Sequence, residues 1–110
     1  ISMDIVEYLE CENFGVIYNN AHAFIAAEDT SQAIGHLRDR LYHVHLSDNN
    51  GKHDQHLIPG RGIFDFQTMA TALKLLPYDG HLSIELGSEY STNPDEAAVE
   101  ACEFLENLLA

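Results

Sequence analysis

The feature that most limits the possible folds is a repeated alternation. Three times, a short apolar run ends in polar residues and a helical pattern follows. Phe14 to Tyr18 reads as a buried strand ending at Asn19-Asn20. Asp29 or Thr30 then caps a helix with Ala33, Ile34, Leu37 and Leu41 as its apolar stripe. Leu41 to Ser47 is a second strand, with His43, His45 and Ser47 on one face and Tyr42, Val44 and Leu46 on the other. A long polar segment from Asp48 to Ile63 leads to Asp65. That residue caps a helix carrying Phe66, Met69, Ala70, Leu73 and Leu76. After a turn at Tyr78-Asp79-Gly80, His81 to Leu86 forms a third strand, with Ser83 and Glu85 opposite Leu82, Ile84 and Leu86. Asn93-Pro94-Asp95-Glu96 starts the last helix as a capping box with Pro at the first turn, and Ala98, Cys102, Leu105 and Leu109 form its expected stripe. Ser2 also suits the cap of a short leading helix with Ile5, Val6 and Leu9.

Alternation of this kind predicts parallel strands joined by helical crossovers. The strand faces narrow the choice further. Central strands of an open, doubly covered sheet are apolar throughout. Here two strands place His and Glu on one face and aliphatics on the other. That pattern suits a barrel, with aliphatics packed outward on helices and polar groups inward. Three strands cannot close a barrel, so the expectation is a partial domain over residues 1–110. Its remainder was removed or comes from another chain. The opening Ile1-Ser2-Met3 agrees with a fragment, and two unpaired sheet edges should leave the isolated piece marginal or self-associating.

Composition limits the function. The 110 residues carry a net charge of −13 with only five Lys and Arg. Nucleic acid is therefore a poor partner, because phosphate backbones are bound mainly by those two residues. No run approaches the roughly 18 apolar residues of a membrane span. Cys11 and Cys102 are too few for a disulfide framework, which makes a reducing cytoplasm the default location. Oligomeric state is not set by the sequence.

Seven histidines are many for this length. A lone histidine at a strand end is usually a hydrogen-bonded structural residue. Here, however, polar residues collect at every strand end. They are Asn19 and His22 after the first strand, His45 and Asp48 on the second, Asp54 and His56 in the long loop, and Glu85 on the third. Imidazoles and carboxylates meeting at a barrel mouth suit a divalent cation such as Zn, Mn, Co or Mg. His36 reads as solvated and His53 as a loop residue. His43 reads as a residue that orders its neighbours. Arg61, between two glycines, either binds an anion or anchors the loop.

Four segments resemble, in order, motifs of the xylose-isomerase-like TIM barrel superfamily. V-I-Y-N-N-A-H (16–22) is similar to the end of its sixth barrel strand, and H-V-H-L-S-D (43–48) to its seventh. D-Q-H-L-I-P-G-R-G (54–62) resembles its D-x-H-x-x-x-G-x-G loop, and L-S-I-E-L (82–86) its eighth strand. The resemblance implies an α/β fold comprising the C-terminal three β/α units, strands six to eight, of a (β/α)8 barrel. It also implies a metal-dependent isomerase or epimerase acting on a small sugar or sugar phosphate, in which the metal stabilises an enediolate. His45 and Glu85 would be metal ligands, and Glu85 would also move a proton. His22 would bind a second ion in nuclease-like members or the substrate in epimerase-like ones, and Asp54 and His56 match a further metal pair of nuclease-like members. Arg61, read from its place between two glycines, is a candidate for binding the substrate. Asn19 stands where the family has an Asp ligand, and the fifth-strand Glu lies outside the chain. Endonuclease IV-type phosphodiesterases share the motifs and form the alternative, with a degenerate non-catalytic barrel as a third reading.

Overall fold

The computed structural model describes residues 8, 9 and 12–110. The leading helix expected from Ser2 lies outside them, apart from Tyr8 and Leu9, which are helical; Cys11 also lies outside. The order is β1 (Val16–Asn19), α1 (Asn20–Ile25), α2 (Thr30–Leu37), β2 (Leu41–Leu46), α3 (Phe66–Leu75), β3 (Leu82–Ile84) and α4 (Pro94–Leu109). The strands form one parallel sheet in the order β1-β2-β3. Among the described residues, no helix is long and apolar enough to cross a membrane.

Local chemistry starts two helices as expected. Asp29 caps α2 by accepting from Gln32 N at 2.9 Å. Asp65 caps α3 by accepting from Thr68 N at 3.0 Å and Thr68 Oγ1 at 2.6 Å. These bonds satisfy N–H groups that have no partner inside the helix. The capping box expected at α4 does not form, because the Asn93 side chain makes no bond to a helix N–H. Asn93 Nδ2 instead donates to Glu96 Oε2 at 3.4 Å. Pro94, with its φ preset, opens the helix.

The strands are shorter than the apolar runs, and Leu41 belongs to β2 rather than to the helix before it. Val44 and Leu46 are fully buried, in one core with Ile34, Leu37, Phe66, Met69, Leu73 and Leu105. Each such side chain contributes about 1.5–3 kcal/mol. The stripe of α4 differs from expectation. Ala97, Ala101 and Leu105 are buried, whereas Ala98 and Cys102 are exposed. Phe104 sets this phase by packing on the core, where its ring meets Phe66 edge-on at 5.5 Å.

Register arranges the other face of the sheet. Ile17 pairs with His43, Asn19 with His45, and His45 with Ser83. Paired residues of parallel neighbours point to the same side. Polar groups therefore stand in rows on the face away from the helices. Ile17, in the lower row, is 55 % exposed.

Candidate metal centre

The site begins at the junction of β1 and α1. Asn19 ends the strand, and its side-chain oxygen caps the helix by accepting from His22 N at 3.1 Å. Asn20 is wholly buried and joins the ends of two strands: its Nδ2 donates to Ser47 O at 2.9 Å, and its Oδ1 accepts from Ser47 N at 3.0 Å. This pair of bonds fixes α1 against the end of β2. His22, one turn in, is left on the exposed side.

The long loop returns to meet it. Asp48 and Leu57 exchange both backbone hydrogen bonds at 2.9 Å as an isolated antiparallel bridge. Residues 49–56 thus form an excursion whose returning limb carries Asp54 and His56. Asn50 shapes the tip by accepting from Lys52 N at 2.9 Å and His53 N at 3.0 Å. His56 has φ 52, a left-handed backbone unusual outside glycine. Its carbonyl accepts from Gly87 N at 2.9 Å, beyond the end of β3.

His22 Nε2 and His56 Nε2 then lie 3.0 and 3.1 Å from the same oxygen, Asp54 Oδ2. One donor atom from each of the three residues lies within 4.8 Å of the others. Partial desolvation acts to raise the Asp54 carboxyl. The hydrogen bond to His22 and the nearby His56 and His22 rings outweigh it and hold the group below the ordinary carboxylate value. Two imidazoles and a carboxylate at this spacing fit a borderline divalent cation.

A second donor group lies on the sheet face. His45 Nδ1 pairs with Glu85 Oε1 across β2 and β3, and Glu85 N extends the ladder to Leu46 O at 2.8 Å. Beneath it, His43 Nε2 is 2.8 Å from Ser83 Oγ, and its ring meets that of His45 edge-on at 4.9 Å. His43 therefore orders its neighbours, as expected.

The remaining candidates fall elsewhere. Arg61 makes a bidentate pair with Glu100 of α4, both contacts at 2.6 Å, which ties the loop to that helix at the surface. His36 is exposed on α2. Asp48 is 1 % exposed and turned into the loop base, away from the donors it was grouped with. Sequence reasoning missed Asn20 and the role of Asp48. The only signal for the latter was the pair of glycines at 60 and 62.

The fold is thus a three-stranded parallel β/α sheet with imidazole and carboxylate groups gathered where its strands end, a donor set that could hold a divalent cation. The model of the xylose isomerase-like TIM barrel family matches residues 2–108, and the chain belongs to that family. Fructoselysine 3-epimerase of Escherichia coli O157:H7 is 30 % identical over 78 % of this chain and 31 % of its own length. Inosose dehydratase of Lacticaseibacillus casei is 24 % identical over 86 % of this chain and 38 % of its own. The crystal structure of a D-tagatose 3-epimerase-like protein superposes with a TM-score of 0.80 at 29 % identity, covering 98 % of this chain and 40 % of that one. The chain thus spans about a third of the length of these curated relatives.

Proposed function

We propose that this chain supplies barrel strands six to eight of a metal-dependent sugar or sugar-phosphate isomerase or epimerase. The observation that carries this reading is the pairing of His45 with Glu85 where two adjacent strands of one parallel sheet end. The names of the relatives support the substrate class, since two of the three are 3-epimerases or resemble one.

His45 and Glu85 would hold the ion, with Asn19 beside them in register through its amide oxygen. A divalent cation, Zn, Mn, Co or Mg, supplies Lewis acidity toward substrate oxygens when bound. Glu85 moves the proton at the carbon next to the carbonyl. His22, with its side chain 60 % exposed, would touch substrate or join Asp54 and His56 around a second ion. Arg61 would meet a substrate anion through Nη1, since Nε and Nη2 are held by Glu100.

One observation favours a second reading. The His22–Asp54–His56 cluster suits an endonuclease IV-type phosphodiesterase with several ions. The net charge of −13 opposes it.

The full-length protein, loaded with Mn or Co, should incorporate solvent deuterium beside the carbonyl of at least one member of a broad ketose and aldose panel. No exchange across the panel, together with cleavage of abasic-site DNA, would replace this reading with the second.

A further inference from the structure

We propose that Asp48 is a positioning residue for this centre, acting through the loop it ties down; the proposal rests on the metal-binding reading above. A buried carboxylate is costly unless its charge is hydrogen-bonded. Asp48 is 1 % exposed, and four backbone N–H groups converge on it. Oδ1 accepts from Asn49 N at 2.9 Å and Phe64 N at 3.1 Å. Oδ2 accepts from Gly60 N at 2.9 Å and Gly62 N at 3.0 Å. The donors come from both ends of the loop, so one side chain closes its base.

The glycines follow from this arrangement. A Cβ at position 62 would lie 2.4 Å from Asp48 Oδ1 and 2.5 Å from Asn49 O. Gly60 has φ +99, which side chains rarely adopt. Asp48 also pairs through its backbone with Leu57, next to His56. The limb carrying Asp54 and His56 therefore springs from a base that Asp48 sets. Ligands need placement to within about 0.5 Å to act together.

An amide at position 48 must present NH2 to one pair of N–H donors, whichever way it turns. Two donors then lose their acceptor and the loop base loosens. Loss of such supporting contacts typically weakens metal binding by about ten- to hundredfold.

The test is a Co2+ titration of the full-length protein, followed by visible absorption, with backbone amide exchange at Gly60 and Gly62. Asp48→Asn should weaken Co2+ binding by about tenfold or more and speed exchange at both glycines. Placed on an Asp54→Ala/His56→Ala background, Asp48→Asn should have no further effect on the residual Co2+ affinity, because its action runs through the missing ligands. A further loss in that background would mark a general structural effect and overturn the proposal. If Asp48→Asn does not fold, Gly62→Ala crowds the same carboxylate without changing charge, and unchanged Co2+ affinity in it would also overturn the proposal. If Asp54→Ala/His56→Ala itself leaves Co2+ affinity unchanged, the role of these residues in metal binding fails first, and that of Asp48 with it.

Discussion

His22 and Asp54 are 32 positions apart in the chain, yet His22 Nε2 and Asp54 Oδ2 meet at 3.0 Å. Two independent devices make that contact. The Asn19 cap and the buried Asn20 amide set His22 at the end of β1, and the Asp48–Leu57 bridge folds the long loop back toward it. Neither device is itself a donor group of the centre's three-residue cluster, so the two can be separated by substitution.

Asn19→Asp should raise divalent-metal affinity, by about tenfold if the new charge reaches the ion. Asp caps helices as well as Asn does, so the His22 N–H keeps its acceptor and the melting temperature should stay close to the parent's. Calorimetric titration with Zn2+ or Co2+ checks this. Unchanged affinity would remove position 19 from the ligand set.

Leu46→Ala should cost about 3 kcal/mol, within the range for fully buried large-to-small changes. Leu46 has no exposed surface and backs the sheet where it carries His45 and Glu85. Urea unfolding of the full-length protein reads the effect, and a loss below about 1 kcal/mol would mean the core packs elsewhere in solution.

Asp65→Ala should cost about 1 kcal/mol near neutral pH, as for other helix caps. The Thr68 hydroxyl, and then the Thr68 backbone N–H, hold the Asp65 carboxyl below its ordinary value of 3.8. Because the folded-state value is the lower one, this stabilisation is fully present above the unfolded value and fades as pH falls through the folded one. The stability gap between variant and parent should therefore narrow below about pH 4. A gap constant from pH 7 to pH 3 would contradict the ionised cap.

Positions 60 and 61 should respond to very different degrees. At Gly60, φ is +99 and a Cβ would sit 2.8 Å from the Phe104 ring, so Gly60→Ala should destabilise by about 1 kcal/mol or more. Arg61→Ala removes only an exposed ion pair with Glu100 and should leave the melting temperature close to the parent's. Thermal unfolding of the two variants side by side decides this.

Signals confined to a few neighbouring residues were legible in the sequence. Asp29 and Asp65 cap as expected, and the alternation of His43 and His45 with Val44 and Leu46 placed the polar face correctly. Signals needing tertiary contact were not. The last helix has two adjacent small-residue stripes, and contacts between Phe104 and the core chose Ala97 and Ala101 over Ala98 and Cys102. Asp48 was grouped with the mouth residues because it follows a strand end. Its true partners are backbone groups 12 to 16 residues away, along with its immediate neighbour Asn49. Asn20 pairs with Ser47 across two strands, and no local pattern marks that contact. Glu100, the partner the structure gives Arg61, lies 39 residues away, and no local pattern marks it.

Anomalous diffraction from crystals of the full-length protein soaked in Zn2+ addresses the proposed centre most directly. The predicted result is an ion about 2.0–2.2 Å from both a His45 ring nitrogen and a Glu85 carboxylate oxygen. An anomalous map with no peak at His45 and Glu85, in a protein that still exchanges substrate protons, would contradict it.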